Sequence, residues 1–429
     1  MNPALAWVIF DHCGPLLAVP GWLTERMRAN LRFSFSTAGE SHGPAEVTLV
    51  HGVPAGLALT AEDVNRDLSR RQQGYGRGGR QKIERDEIEF LGGVRHGKTL
   101  GSPISMLIRN RDYANWEDRM TPAPVEEGRH TRPVTLPRPG HADLAGMQKY
   151  AFGDLRNVLE RSSARETTAR VAAGGVARRL LREFGIEIES AVYRIGGAAI
   201  DKQTAIDGAA NADDSEVRCP DSSATEKMKA EIDEARYARD ALGGEFVVVA
   251  RGCPPGLGSY VDWRDKLDAK LAAAVMSINA MKGVEFGIGF DVARHRSSEV
   301  QDEIVPGEAD DGEDGPTGLT RTSNRLGGLE GGMTNGEPVV VCAAMKPIST
   351  IAKALRTVDL ATGEPAQAFR ERADSCAVPA AAVIGESMVA VVLAEALLDK
   401  FGADNMIDIR ASHDSYMSRL KESFGGPRA

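Results

Sequence analysis

Histidines and arginines set in glycine- or proline-flanked turns are the residues of this 429-residue sequence best suited to chemistry. His42 lies in the run TAGESHGPAE, and His141 lies in RPGHADL. Helical spacing would place Arg161, Arg165 and Thr168 on one face, beside the loop that presents His141. Guanidinium forks next to hydroxyls form a seat for phosphate or carboxylate, and histidines transfer protons near neutral pH. These residues predict an anion site with proton-transfer chemistry.

Further arginines belong to similar turns. The run RRQQGYGRGGR contributes Arg71, Arg77 and Arg80, and Arg372 and Asp374 share the turn RAD. The formal net charge of the chain is −9, so a site for a polyanionic ligand must be a local concentration of arginine within a field of the opposite sign.

Two nucleotide-binding patterns occur, and we interpret both as coincidental. Gly74, Gly76 and Gly79 match GxGxxG, but a helix is predicted before them and a strand after them, the reverse of a dinucleotide site. Residues 92–99 match the P-loop pattern GxxxxGK[ST], but a turn and a strand are predicted after Lys98 where a P-loop requires a helix.

Two motifs occur twice in the same order. GVPAGL at residues 52–57 recurs as GCPPGL at 252–257, and GKTLGSPI at 97–104 recurs as GMTNGEPV at 332–339. The repetition predicts a duplicated sheet-turn-helix unit.

Periodicity and turn signals predict the elements that position these residues. The pattern predicts strands within 32–60 and at 338–345, a long loop at 109–137, an acidic loop at 308–320, and helices at 60–73, 153–184, 263–282 and 379–401. The last helix is apolar nearly all round, so we expect it to be buried.

Composition narrows the class of protein. The five cysteines show neither CxxC pairs nor metal-ligand spacing, which is typical of isolated thiols in a reducing cytosol, and we expect no metal site. No apolar run is expected to reach the roughly 18 residues of a membrane span. We expect residues 1–31 to be an extension that precedes a single catalytic domain at 32–423, with Met27 as the functional start and 424–429 as a flexible tail.

The signature runs together resemble one family. TAGESHGP, RRQQGYGRGGR, RPGHADL, RSSARETT, SINAMKGVEFGIGF, GGLEGGMTNG and MKPIST are similar to the sequence blocks of chorismate synthases, over about residues 34–401. The resemblance implies an α+β fold with helices sandwiched between two antiparallel sheets, and a cytoplasmic homotetramer. It also implies an anti 1,4-elimination of phosphate from 5-enolpyruvylshikimate 3-phosphate that gives chorismate and requires reduced FMN.

The resemblance also assigns roles by position. His42 resembles the proton donor to the departing phosphate, His141 the histidine that protonates the reduced flavin, and Asp374 the acid near the flavin N5. Substrate-anion ligands are implied at Arg71, Arg77, Arg80, Arg138 and Arg165. FMN-binding blocks are implied at Arg161, Ser162, Ser163, Asn279, Ala280, Gly331, Lys346, Pro347, Ile348, Ser349, Thr350 and Arg372.

Two other functions stay open at this point. GYGRGGR resembles an RGG-type RNA-binding segment, although one copy in an acidic chain is weak support and we expect neither nucleic-acid nor membrane binding. A flavin-dependent oxidoreductase is the closer alternative, and NAD(P)H consumption without phosphate release would identify it. The source of the reduced flavin, including an intrinsic NADPH-dependent reductase activity, also stays open.

Overall fold

The computed structural model describes residues 33–79, 83–125, 132–307, 318–369 and 374–424. Helices and antiparallel sheets are mixed along the chain, so the fold is α+β. The proposed extension at 1–31, most of the acidic loop and two of the predicted site residues, Arg80 and Arg372, lie outside the described residues.

The strands are, in chain order, β1 (Ser34–Gly39), β2 (Ala45–His51), β3 (Ile88–Gly92), β4 (Val94–Arg95), β5 (Lys98–Thr99), β6 (Ile104–Arg109), β7 (Glu187–Ile195), β8 (Ala198–Ala199), β9 (Gly244–Arg251), β10 (Met281–Phe286), β11 (Ile304–Pro306), β12 (Leu319–Arg321), β13 (Leu329–Glu330), β14 (Met333–Thr334), β15 (Val339–Met345), β16 (Arg356–Val358) and β17 (Pro365–Gln367). The α-helices are α1 (Ala61–Gln72), α2 (Glu117–Met120), α3 (Asp143–Tyr150), α4 (Arg156–Ser162), α5 (Thr167–Arg182), α6 (Lys202–Asp207), α7 (Ser222–Tyr237), α8 (Leu267–Met276), α9 (Ser297–Val300), α10 (Val378–Phe401) and α11 (Met406–Phe424).

Two antiparallel sheets form the framework. The first has the strand order β1-β2-β6-β3, and the second has the order β10-β15-β9-β7-β8. In β2 the side chains alternate between half-buried and buried, as a strand with one covered face requires. In β9, Phe246 through Ala250 are all buried, because the helical segments of residues 202–214 cover one face of the second sheet and α10 covers the other.

Three long helices pack together against these sheets. Helix α5 contacts α1, α10, β2 of the first sheet and β7 of the second, and α10 contacts β7 and β9. Gly174 of α5 allows this close approach, because a Cβ added there would lie 2.3 Å from the Cβ of Ser387 in α10. The core therefore depends on small residues at the helix crossings.

Helix α10 corrects one sequence-based expectation. It is long and apolar enough to cross a membrane, contrary to the prediction that no apolar run reaches that length. However, 94% of its most apolar 18-residue window is buried inside the protein, which confirms the prediction of a buried core helix. It is the one such helix in the described ranges.

Matching hydrogen bonds confirm the repeat of the two motifs. In the first copy the Thr99 hydroxyl donates to the Pro54 carbonyl at 2.5 Å and accepts from the Leu57 N–H at 3.0 Å. In the second copy the hydroxyl of Thr334 makes the same pair of bonds to Pro254 and Leu257, at 2.7 and 2.9 Å. The threonine of GxTxGxP thus fixes the preceding Gly-Pro turn in both halves.

The helices and strands around both nucleotide-binding patterns are not in the order that a nucleotide-binding site requires. Helix α1 precedes the GxGxxG glycines and β3 follows them. The P-loop match folds into the β4–β5 hairpin and continues into strand β6, so no helix N-terminus is available for a phosphate.

Two helix predictions were wrong in extent. The predicted helix at 153–184 is broken, because Ser163 adopts an extended backbone (φ −63°, ψ 147°) between α4 and a short 3-10 turn, Ala164–Glu166. The predicted helix at 263–282 ends at Met276, and its last residues enter strand β10, which pairs with β15. Helix α11 was not predicted at all, although Asn405 accepts hydrogen bonds from the N–H groups of Ile407 and Asp408 at its start.

Candidate active site

A cavity of about 970 Å³ lies where the predicted motifs meet. It is lined by the β1–β2 loop, the loop after α1, the segment before α3, the junction of α4 and α5, the end of β15, and the start of α10. The sequence-predicted residues that line it are His42, Arg71, Arg77, Arg138, His141, Ser162, Ser163, Arg165, Asn279, Ala280, Lys346, Ile348, Ser349, Thr350 and Asp374. Blocks that are far apart in the sequence therefore share one site.

Three other predicted site residues that the structure describes, Arg161, Gly331 and Pro347, do not line this cavity. Arg161 is partly exposed and donates from its guanidinium to the carbonyls of Thr37 and Gly39. Gly331 lies in the turn between β13 and β14. Pro347 does not line the cavity, although the other residues of the block at 346–350 do.

His42 is held by a buried carboxylate. Its ring Nδ1 lies 3.0 Å from both carboxyl oxygens of Glu160, and its backbone N–H donates to Glu160 Oε2 at 2.8 Å. Trp116 stacks on the imidazole with the ring centroids 3.9 Å apart. The histidine is thus fixed on one edge by Glu160 and on one face by an indole.

His141 has a similar arrangement. Its Nδ1 lies 2.6 Å from Oδ1 of Asp143, and Arg138 donates to both oxygens of the same carboxylate, from Nε at 2.8 Å and from Nη2 at 3.0 Å. Burial alone would raise the pKa of Asp143, but the hydrogen bonds from His141 and Arg138 outweigh it and hold this pKa well below its usual range. Asp143 is therefore a permanent anion beside His141.

The arginines predicted to bind anions are already partly neutralised. Arg71 and Arg165 both contact the buried Asp86, whose Oδ1 lies 2.5 Å from Arg165 Nη1 and whose Oδ2 lies 3.4 Å from Arg71 Nη1. Burial lowers the pKa of Arg71 to about 10, although Asp86 acts in the opposite direction. Nη2 of Arg165 also lies 3.7 Å from Oε2 of the buried Glu84, so two carboxylates face the two guanidinium groups in this part of the cavity.

Asp374 is paired with the glycine-rich loop. Its Oδ2 accepts from Nη1 of Arg77, and its Oδ1 accepts from the backbone N–H of Gly78, both at 2.6 Å. The contact joins the segment before α10 to the loop that follows α1.

The break after α4 builds the wall beside His42. Because Ser163 leaves helical geometry, its hydroxyl reaches the Ser41 hydroxyl at 3.0 Å, and the Ser162 carbonyl accepts from Nδ2 of Asn279 at 3.0 Å. Arg165 then lies in a 3-10 turn with Nη1 3.5 Å from the Thr168 hydroxyl, while Arg161 belongs to α4 and donates to the Thr37 carbonyl of β1. The prediction that Arg161, Arg165 and Thr168 share one helical face was therefore wrong.

The block at 346–350 closes onto the loop before α3. The Lys346 ammonium donates to the Gly140 carbonyl at 3.1 Å and to the Ser349 hydroxyl at 2.8 Å, and Arg138 donates to the Thr350 hydroxyl at 2.8 Å. Burial lowers the pKa of Lys346 from its ordinary value, and the nearby Lys282 adds to this effect.

Four lining residues carry a buried polar atom that has no hydrogen-bond partner among the described residues. These atoms are Nε of Arg77, Oδ2 of Asp112, Nη2 of Arg165 and Oδ1 of Asn279. Buried polar groups in native proteins nearly always have a hydrogen-bond partner, so unsatisfied atoms around one cavity indicate a polar ligand. Donors and acceptors are both present, as a ligand with phosphate and amide-like edges requires.

Sequence reasoning missed Glu160, Asp86 and the stacking role of Trp116. The predicted long loop at 109–137 includes Trp116 but gives it no role. Arg156 and Glu160 are four residues apart on α4, directly before the RSS run, and this spacing could have directed attention to the carboxylate.

Comparison with known proteins identifies the class to which this fold and site belong. The family model described as Chorismate synthase matches residues 33–398. A chorismate synthase of Rubrobacter xylanophilus is 76% identical over 391 residues, covering 91% of this chain and 98% of the relative. One from Pelobacter propionicus is 52% identical over 389 residues, covering 90% of this chain and 99% of the relative. A crystal structure of a chorismate synthase superposes with a TM-score of 0.72 at 41% identity and covers 91% of this chain and 99% of that one.

A match of this extent defines an enzyme class, the carbon–oxygen lyases that act on phosphates. The chain belongs to the chorismate synthase family. Its reaction is the elimination of phosphate from 5-enolpyruvylshikimate 3-phosphate to give chorismate, the last step of the shikimate pathway. Membership in this family also implies a flavin cofactor.

Proposed function

We propose that the described cavity binds reduced FMN and 5-enolpyruvylshikimate 3-phosphate together, and that His42 protonates the phosphate as it departs. The observation that carries the proposal is the group of buried, unsatisfied polar atoms on Arg77, Asp112, Arg165 and Asn279 around a cavity of about 970 Å³. This volume is at the upper end of the range for a single small-molecule site, which favours two ligands.

The charge of the cavity suits the substrate. Arg71 and Arg165 share Asp86, and Arg165 keeps a donor without a described hydrogen-bond partner. Together with Arg77 and Arg138 they would hold the phosphate and carboxylate groups, with Arg80 as a further proposed ligand. Arginine suits this purpose because its planar fork meets two anionic oxygens at once.

The blocks at 162–163, 279–280 and 346–350 would hold the flavin. Oδ1 of Asn279 is a buried acceptor without a described hydrogen-bond partner. The Lys346 ammonium is a donor on the same side of the site, since the Lys346 backbone N–H pairs with the carbonyl of the adjacent Ala280. When bound, reduced FMN supplies an electron-rich ring beside the substrate in a reaction that is redox-neutral overall. Arg161, Gly331, Pro347 and Arg372 remain proposed flavin contacts outside the described lining.

The two histidines would divide the proton transfers. At an ordinary pKa above about 12 an arginine holds an anion but does not readily protonate it, whereas an imidazole titrates near neutrality. His42 would act as general acid toward the phosphate, His141 would supply the proton of the reduced cofactor, and Asp374 would act near its N5 position.

The finer fold and assembly belong to the same proposal. Helices α1, α5 and α10 would be sandwiched between the two sheets, since α5 contacts a strand of each sheet. A homotetramer would bury the large apolar side chains of Tyr260, Trp263 and Phe290, which are 73, 77 and 81% exposed in the single chain. A cytoplasmic location fits this arrangement, and the source of reducing equivalents, including NADPH, is left to experiment.

An anaerobic assay with dithionite-reduced FMN tests the proposed function. Wild-type protein should release phosphate and form chorismate in equal amounts, and oxidised FMN should support neither. His42→Ala should lower turnover by about 10²- to 10⁴-fold while FMN binding is retained. NAD(P)H consumption without phosphate release would instead identify a flavin oxidoreductase, and near-normal turnover of His42→Ala would contradict the role given to His42.

A further inference from the structure

Glu160 contacts the His42 loop through both its carboxylate and its backbone carbonyl. Its carboxylate lies 3.0 Å from the ring Nδ1 of His42. The carboxylate also accepts hydrogen bonds from the His42 backbone N–H and from Nη1 of Arg156, both at 2.8 Å. Its own carbonyl accepts from the backbone N–H of Ser41 at 3.0 Å. The side chain is 2% exposed, so this carboxylate is committed to the loop and not to solvent.

We propose that Glu160 is a positioning residue that keeps a hydrogen on Nδ1 of His42 and stabilises the protonated ring, so that Nε2 is the atom that exchanges the catalytic proton. The proposal rests on the proposed function of His42 as general acid. An ionised carboxylate can only accept hydrogen bonds, so Nδ1 must carry a hydrogen whether the ring is neutral or charged. Burial acts to raise the pKa of Glu160, but the hydrogen bonds from His42 and the charge of Arg156 leave it below its ordinary value.

The proton count closes with this assignment. The Nε2–H bond of the imidazolium breaks as an O–H bond forms on the departing phosphate, and the electron pair of the C–O bond leaves with that oxygen. The ring becomes neutral. The hydrogen on Nδ1 stays bonded to that nitrogen and continues to form a hydrogen bond to Glu160. At the other end of the elimination the substrate loses one proton, which passes to solvent. His42 regains one proton from solvent at Nε2 after the products leave, so no net proton, oxidant or reductant is needed.

Trp116 makes the charge of His42 measurable without turnover. Its indole stacks on the imidazole, at 27° between the planes, and a protonated imidazole quenches a stacked indole more strongly than a neutral one. The guanidinium groups of Arg119 and Arg156 also lie over this indole, at 5.3 and 4.9 Å from the centroid, and keep their charge over the range tested. The difference in emission between a protein and its Trp116→Phe counterpart isolates this signal from the other three tryptophans.

The experiment is a pH titration of this difference signal between pH 5 and 9, without substrate or flavin. Removal of an opposite charge at this distance should lower the midpoint in Glu160→Gln by about one pH unit or more. Glu160→Asp, which keeps the charge but moves it away, should shift the midpoint less and in the same direction. Steady-state assays should show kcat at neutral pH falling roughly 10-fold or more in Glu160→Gln, with KM nearly unchanged.

Glu166→Gln is the matched control. Glu166 is also a buried glutamate paired with an arginine four residues away, Arg170, but it does not contact His42. Its variant should leave the midpoint in place. A wild-type signal that does not titrate, or a midpoint that neither Glu160 variant moves, overturns the proposal and leaves Glu160 as a structural clamp.

The outcomes also separate this proposal from the proposed function. A shifted midpoint in a protein that releases no phosphate keeps the role of Glu160 and rejects the function of the cavity. An active enzyme whose midpoint does not move rejects only Glu160. Should Glu160→Gln fail to fold, Glu160→Asp decides alone, since an unchanged midpoint in that variant contradicts the proposal.

Discussion

Glu46 should make the protein less stable as the pH rises toward neutrality. It lies on the covered face of β2, is 1% exposed, and neither carboxyl oxygen has a hydrogen-bond partner among the described residues. Burial raises its pKa to about 7, although the charges of Arg165 and Arg161 act in the opposite direction. A carboxylate in this position is costly because it loses the solvation of water without gaining a donor.

The sign and size of the effect follow from linkage. The ordinary value for this group is 4.5, so between pH 4.5 and about 7 the folded protein keeps a proton that the unfolded chain has released. The free energy of unfolding therefore falls as the pH rises across this window. Below the window Glu46 is protonated in both states and its carboxyl group imposes no cost of ionisation. Above the window the folded protein bears the full cost of a buried, ionised carboxylate. At about 1.4 kcal/mol per pH unit, the penalty above pH 7 is ~3 kcal/mol.

Urea denaturation of the wild type and Glu46→Gln, at one protein concentration from pH 5 to 8, measures this penalty. Glutamine cannot ionise, so the stability of the variant relative to wild type should rise by about 2–3 kcal/mol between these limits. Burying its amide without partners adds only an offset that does not depend on pH. Glu62→Gln, at an exposed position in the first turn of α1, is the control and should show no trend. A difference between wild type and Glu46→Gln that stays constant with pH would refute the reasoning.

Two other changes test how the core and the repeat are held together. Glu386→Ala removes a buried carboxylate of α10 that pairs with three arginines. The unpaired arginines should lower the free energy of unfolding by about 3–5 kcal/mol. A loss below roughly 1 kcal/mol in urea denaturation would show that these arginines find other partners. Thr99→Val removes the hydroxyl that bridges two backbone groups and should lower the free energy of unfolding by about 1–3 kcal/mol. Lys98→Ala, at the exposed neighbouring position, should change neither this stability nor the affinity for flavin and substrate. An ATPase activity that Lys98→Ala abolishes would restore the P-loop interpretation.

Local signals predicted the elements whose boundaries depend on local chemistry. Thr60 begins α1 with a capping box, and the mostly apolar run at 379–401 produces a buried helix. The repeat was visible because its threonine recurs at a fixed offset from a Gly-Pro turn. In these places local propensity and tertiary structure agree.

The sequence failed where distant contacts decide the backbone. Nothing in RSSARE breaks a helix by propensity, and Ser163 leaves helical geometry in a setting where its hydroxyl meets Ser41, 122 residues away. Strand pairing with β15 likewise takes Met281 out of the predicted helix. The partner of His42 could not be predicted because Glu160 is 118 residues from it in the chain.

The two histidines of the site are supported in the same way, and this limits how arginine variants can be interpreted. Each ring places Nδ1 on a buried carboxylate, Glu160 for His42 and Asp143 for His141, and each carboxylate also accepts from an arginine, Arg156 or Arg138. Arg138 helps to lower the pKa of Asp143, so removing this arginine changes the pKa of the carboxylate that contacts His141. This effect adds to any lost contact with a ligand. A loss of activity in Arg138→Ala does not by itself demonstrate anion binding. Arg165 lines the cavity and contacts Asp86 and Glu84 but neither Glu160 nor Asp143, so it is the position where a loss of affinity reports on the ligand without disturbing a histidine.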